Sequence, residues 1–303
     1  DALIQSLVQA NFAPERIAPQ ASMAQYTTLR IGGPAEVMVN IHSADEIAVA
    51  LRAAKQADAP VTIIGNGSNL LVRDGGIRGL VLRIAGGLNA IRREGASLLV
   101  QAGASLAAVA AFARDEGLSG MAELGGIPGT VGGGVLMNAG AYGAELAQLV
   151  TQAEGVSLSD GRRVVYPADR LDFAYRHSAL MDAGVVITQA TLALTPGDSE
   201  AIRARMEECA KARREKQPLT LPSAGSTFKR PEGHFAAKLI DDCGLRGLTV
   251  GGAQVSEKHA GFIVNIGGAT ARDMLELMRQ VEQRVFEQTG VQLEPEVRIL
   301  GED

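Results

Sequence analysis

The sequence predicts an α+β fold divided among two or three compact lobes. Three observations lead there. The chain has 303 residues, too many for one small core and enough for two or three. Hydrophobic residues make up 46% and charged residues 21%, the balance of a globular protein. Strand-like and helix-like hydrophobic patterns alternate along the first third of the chain, as they do where helices pack on sheets.

The elements follow in order. Ser43-Ala44-Asp45-Glu46 has the spacing of a capping box, and Ile47, Ala50, Leu51 and Ala54 continue it at helical spacing. This predicts an amphipathic helix over 44–57. Val61-Thr62-Ile63-Ile64 is a β-branched strand that runs into Gly65-Asn66-Gly67-Ser68-Asn69. Gly79–Ile84 and Leu98–Ala102 read as further strands. Ser105 caps a second helix with Leu106, Val109, Ala110 and Ala113 on one face, and Gly117 ends it. Residues 121–145 are glycine-rich and weakly periodic, so a long irregular segment of functional use is expected. Val185–Leu194 is a strong strand, and Thr195-Pro196-Gly197-Asp198 reads as a domain boundary. Beyond it Ile202, Met206 and Cys209 mark a helix whose end carries Lys211, Arg213, Arg214 and Lys216. Cations there complement the helix dipole, and Gln217-Pro218 stops the helix. A last helix over 271–289 places Met274, Met278, Val281 and Val285 on one face with Gly290 behind it, before a final strand, Val297–Leu300.

Composition removes several classes of function. No stretch of about 18 apolar residues occurs, so no membrane-spanning helix is expected. The opening DALIQSLVQANFAPERI does not read as a secretory signal. The chain opens on Asp1 rather than Met, and processing or trimming is the expectation. The net charge of −5 gives no reason to expect nucleic acid. Cys209 and Cys243 lack metal-ligand spacing and are expected reduced, buried and structural; the four histidines are scattered, so no metal site is expected. Glycine is the unusual number. It occurs 36 times, about 12% against a usual ~7%, and in clusters, which marks close backbone approach or left-handed turns.

Each candidate site has a plain reading beside the functional one. Gly65–Asn69 follows a strand with small residues and exposed N–H groups, a concavity suited to phosphate oxygens but also an ordinary turn. It is neither a Walker loop nor a Rossmann fingerprint, since Leu70 stands where a third glycine belongs. The second glycine-rich stretch, Gly125–Gly143, suits a long dinucleotide held by two such loops, or two tight connections with no ligand. Arg176, in Phe173-Ala174-Tyr175-Arg176-His177-Ser178, reads alone as a solvated surface cation. The small residues around Ser226 leave its hydroxyl exposed, as any Ser/Thr-rich loop does. Glu296 and Arg298 lie two apart and face one way on a strand, an arrangement shared with exposed ion pairs of little weight.

Taken together, seven segments resemble UDP-N-acetylenolpyruvoylglucosamine reductases and stand in that family's order. They are residues 26–35, 65–71, 126–133, 138–143, 175–178, 224–229 and 294–298, and the resemblance covers about residues 24–300. It implies a two-lobed FAD-binding module of the vanillyl-alcohol-oxidase (PCMH) type, 1–82 and 83–196, with an α/β substrate-binding domain, 197–303. The chain resembles the compact type that lacks a substrate-contacting tyrosine loop. Covalent attachment of flavin in related folds uses His or Cys, and neither occurs in 65–76 or 121–145, so non-covalent FAD is expected, with NADPH as co-substrate. The resemblance implies catalytic roles for Arg176, Ser226 and Glu296. It assigns Gly65, Asn66, Gly67, Ser68, Asn69, Ile127, Pro128, Gly132, Asn138, Gly140 and Arg213 to the cofactor. Tyr175, Lys216, Lys229, Gln254, His259 and Arg298 go to the substrate, UDP-N-acetylglucosamine enolpyruvate; His259 reads equally as a structural histidine. The expected protein is a cytoplasmic monomer without nucleic-acid or membrane partners. Two other functions fit less of the sequence: an FAD-dependent alcohol or sugar oxidase of the same fold, and a non-catalytic nucleotide-sugar-binding module.

Overall fold

The computed structural model describes residues 2–303. Packing divides the chain into two units. The first comprises Asp1–Pro19, Val37–Asn66 and Gly79–Lys211; the second comprises Gln20–Glu36, Gly67–Arg78 and Ala212–Asp303.

The first unit holds helices α1 (Ala2–Gln9), α2 (Ala44–Gln56), α3 (Leu106–Asp115) and α4 (Val131–Leu136) and most of α5 (Ser199–Lys216). A four-stranded sheet runs in the order Ile17–Ser22, Pro34–Asn40, Ile77–Arg83, Val61–Ile64, and its first three strands continue into the second unit. A five-stranded antiparallel sheet runs in the order Arg163–Pro167, Val150–Ser157, Val185–Ala193, Ser97–Gln101, Ile91–Glu94. One apolar cluster, including Leu7, Val39, Ile47, Leu82, Val100, Leu106 and Leu192, fills this unit.

The second unit has helices α6 (Ala236–Asp242) and α7 (Ala271–Thr289). Its sheet is Thr249–Val250, Ala253–Val255, Ile263–Asn265, all antiparallel. The last strand, Arg298–Leu300, pairs in parallel with Leu70–Val72. A separate cluster includes Leu29, Ile31, Leu71, Phe228, Val255, Leu277 and Val281.

Local signals explain most of these elements. Ser105 Oγ accepts from Ala108 N at 3.1 Å, and the four positions expected on the inner face of α3 are the four that are buried. Thr270 and Asp273 form a reciprocal capping box on α7, which ends at Gly290 with φ 73. The Asp74 carboxylate adds a second cap, accepting from Ala271 N and Arg272 N.

Three expectations need correction. Ser43 caps α2 through Glu46 N, but the reciprocal bond is missing: Glu46 accepts from His42 N and pairs with Arg16. A full guanidinium competes better for that carboxylate than one backbone N–H does. The 121–145 segment is less irregular than expected, because Thr130 starts the six-residue α4 inside it; the glycines of that helix erased its hydrophobic period. Cys243 is half-buried rather than buried. Both cysteines are free, and burial raises both thiol pKa values. Among the described residues, no helix is long and apolar enough to cross a membrane.

Candidate active site

In the first unit, strand Val61–Ile64 delivers the chain to Gly65 and Asn66. A Cβ on Gly65 would stand 2.6 Å from Thr130 Oγ1, so only glycine lets this backbone lie against the Gly129–Gly132 turn. Asn66 Nδ2 donates to Pro128 O at 3.4 Å. Buried Thr130 caps α4, accepting from Gly133 N at 3.4 Å. Gly132 N donates to Ala102 O at 2.8 Å. Ile127 is half-buried against the core and Pro128 is exposed. Gly67, in the second unit, has φ 64 and packs against Tyr26 O, where no Cβ fits; Ser68 beside it is half-buried.

Among the described residues, no backbone N–H from Gly65 to Asn69 donates to a protein acceptor. Successive N–H groups left in this way attract an anion.

A second cluster of the first unit holds Arg176. Ala174 and His177 exchange backbone hydrogen bonds of 3.1 Å, which makes Tyr175 and Arg176 the tip of a tight turn. The 136–138 segment grips both ends of that turn. Asn138 Nδ2 donates to Ala174 O at 3.0 Å, and Ser178 Oγ donates to Leu136 O at 2.8 Å. Arg176 Nη2 donates to Gly140 O at 3.4 Å, and the guanidinium lies 5.0 Å from the centre of the exposed Tyr175 ring. Asn138, Tyr142, Asp172 and Arg176 all have φ between 43 and 52. Left-handed backbone outside glycine costs about 1–3 kcal/mol per residue and gathers at functional sites.

Asn138 is completely buried, and its Oδ1 accepts from Ala147 N at 2.9 Å. Its side chain holds the Arg176 turn.

In the second unit, residues 222–228 lie beside strand Ile263–Asn265. Asn265 N donates to Pro222 O, and Ser223 bridges Val264. Thr227 is the next anchor: it donates its N–H to Gly261 O at 2.9 Å, and its Oγ1 accepts from Ile263 N at 3.0 Å. Between the anchors Gly225 turns left-handed at φ 76, and Ser226 stands exposed on the bulge. Phe228 bridges Pro295, and Glu296 N donates to Thr227 O at 2.8 Å. The fold thus sets half-buried Glu296 next to the residue that follows Ser226. Asn69 Nδ2 donates to Glu296 O at 3.1 Å, and Arg298 N to Asn69 O at 2.9 Å.

The remaining expected residues are spread over the second unit and α5. Arg213 is half-exposed and Lys216 exposed in the last turn of α5. Lys229 pairs with Glu294 at 3.5 Å, both well exposed. Gln254 Nε2 donates to Thr249 Oγ1 at 3.1 Å within the small sheet. His259 Nδ1 accepts from Gly261 N at 3.1 Å, and burial lowers the pKa of this imidazole. Arg298 is exposed. Sequence reasoning missed Thr130, Ser178 and Thr227, all buried hydroxyls. Thr130 alone had a local signal, a cap residue three places before Gly133.

Residues 217–300 match the family model for the UDP-N-acetylenolpyruvoylglucosamine reductase C-terminal domain, and residues 35–166 match an FAD binding domain. The chain is 47% identical over 299 residues to the UDP-N-acetylenolpyruvoylglucosamine reductase of Pediococcus pentosaceus, covering 99% of each. It is 45% identical over 289 residues to that of Clostridium novyi, covering 95% of this chain and 94% of the other. The crystal structure of UDP-N-acetylenolpyruvylglucosamine reductase from Thermus caldophilus is similar at a TM-score of 0.80 and 39% identity, covering 92% of this chain and 97% of that one. The α+β architecture, an FAD-binding domain followed by a distinct C-terminal domain, is the one the sequence led us to expect.

Proposed function

The chain belongs to the UDP-N-acetylenolpyruvoylglucosamine reductase family, and from that premise we propose that it reduces the enolpyruvyl ether of UDP-N-acetylglucosamine enolpyruvate to UDP-N-acetylmuramate. The cofactor is non-covalent FAD and the reductant NADPH. We assign the cofactor to lobes 1–82 and 83–196, the substrate to 197–303, and the working form to a cytoplasmic monomer.

The observation that carries the chemistry is the pinned bulge that leaves Ser226 exposed and ties the backbone of the next residue, Thr227, to Glu296. FAD held by the Gly65–Asn69 turn and the 127–143 segments would supply the hydride chemistry between NADPH and the vinyl CH₂ carbon. The chain must then hold charge and deliver a proton. Arg176 stabilises the enolate-like charge that builds on the substrate carboxylate. Glu296 assists when protonated, or when a cation bridges it, and otherwise repels that charge. Ser226 gives its proton to the adjacent carbon. An alcohol is a weak acid, but a carbanionic carbon is a strong base, so position counts for more than pKa matching. The N–H groups of Gly65–Asn69 hold the pyrophosphate.

Rapid mixing tests the proposal. Ser226→Ala is expected to leave flavin bleaching by NADPH nearly intact and to slow enolpyruvyl reduction by two or more orders of magnitude, on the order of lost general-acid catalysis. Equal slowing of both half-reactions would remove Ser226 from the role. Reoxidation of the reduced protein by O₂ in preference to the enolpyruvyl substrate would favour the oxidase reading.

A further inference from the structure

We propose that His259 is a positioning residue for Ser226, acting through Gly261 and Thr227 and not by touching substrate; this rests on Ser226 being the proton donor. The imidazole Nδ1 accepts from Gly261 N at 3.1 Å. That bond requires the neutral ring with its proton on Nε2, and burial favours the neutral form. The ring is fixed edge-on to Phe262, with centroids 4.8 Å apart and planes at 72°. Its loop is closed by His259 N to Ser256 Oγ at 3.2 Å and Phe262 N to His259 O at 3.0 Å. A Cβ on Gly261 would lie 3.0 Å from His259 Cε1, so glycine lets the ring sit close over this backbone.

From there the path is continuous. Gly261 O accepts from Thr227 N at 2.9 Å, and Thr227 O accepts from Glu296 N at 2.8 Å. The imidazole thereby supports, together with the bond from Ile263 N to Thr227 Oγ1, the peptide that joins Ser226 to Thr227 and the backbone of Glu296. Ser226 takes part of its position from this side. On its other side Gly225 is left-handed at φ 76 and its N–H reaches Ser223 Oγ at only 3.5 Å, so the Thr227 side carries the shorter bonds next to Ser226. A small displacement of a proton donor costs rate steeply.

Replacement separates positioning from substrate contact. His259→Asn puts a carbonyl oxygen where Nδ1 stands; His259→Leu keeps bulk without an acceptor, and His259→Gln places its carbonyl one bond too far. His259→Leu and His259→Gln are expected to slow enolpyruvyl reduction about tenfold, on the order of a misplaced catalytic group. KM should stay within about twofold, with NADPH bleaching and flavin content unchanged, and His259→Asn should return to within about threefold of wild type. In a Ser226→Ala background, His259→Gln should add no further loss, because residues acting as one unit are not additive. A raised KM with unchanged kcat, equal loss in both half-reactions, no rescue by Asn, or a multiplicative double variant each overturns the proposal. Ser226→Ala slow with His259→Gln normal defeats the positioning claim alone. Ser226→Ala normal defeats the proton-donor reading and this proposal with it.

Discussion

Arg176 adopts a conformation that its own backbone resists, at φ 52. Glycine would adopt it without strain, so Arg176→Gly and Arg176→Ala separate strain from chemistry. Both should lose enolpyruvyl reduction by two orders of magnitude or more, the scale of a lost electrostatic donor. In urea, the glycine variant should be about 1 kcal/mol more stable than the alanine variant. Equal stability would mean that the turn exerts no strain on its tip. Gly65 offers a second test. Gly65→Ala drives a methyl into Thr130 Oγ1 and should lower the flavin retained on purification. Thr130→Ala costs about 1 kcal/mol of helix cap but clears the space, so the double variant should retain as much flavin as Thr130→Ala. Such clashes could not be read in advance: Gly65 and Thr130 lie in different stretches of sequence, and only the fold brings them together. Ser105, by contrast, was readable, because its partner is three residues away.

At the scale of elements, legibility followed the source of the order. Helices α3 and α7 show hydrophobic faces and caps that the sequence displays, and they lie where expected. The strand Val150–Ser157, paired on both sides in its sheet, was missed because alternation is broken by Gly155 and polar Thr151, Gln152 and Glu154. Helix α2 shows a local signal redirected by a distant residue. Arg16 reaches Glu46 through bonds of 2.9 and 2.7 Å and also donates to Asn40 O at 2.6 Å. The Arg16 hydrogen bond is the main reason that the Glu46 pKa is lowered. A lowered folded pKa means stability that is present above the unfolded carboxylate value and fades as pH falls through the folded one. Urea midpoints measured from pH 7 down to 3 should therefore fall with acid. Glu46→Gln should flatten part of that slope and cost about 1–3 kcal/mol at pH 7, the range for charged hydrogen bonds. A wild-type slope kept by Glu46→Gln would assign the acid sensitivity elsewhere.

At the scale of the molecule, sequence order and packing part company. The chain passes between its units inside strands Ile17–Ser22, Pro34–Asn40 and Ile77–Arg83, after Asn66, and inside α5. Reading along the chain suggests a C-terminal domain that begins near residue 197, yet the core of the second unit contains Leu29, Ile31 and Leu71. Leu29 and Leu71 are fully buried and Ile31 is 3% exposed. Deleting the side chain of one such residue costs about 2–5 kcal/mol, and a whole domain has only about 5–15 kcal/mol to lose. Strand Arg298–Leu300 also takes its partner, Leu70–Val72, from the early sequence. A fragment of residues 197–303 should consequently show no cooperative urea transition by circular dichroism. Supplying residues 20–36 and 67–78 through flexible linkers should restore one. Cooperative unfolding of 197–303 alone, with a slope suited to about 100 residues, would show that the early segments decorate this core and do not complete it.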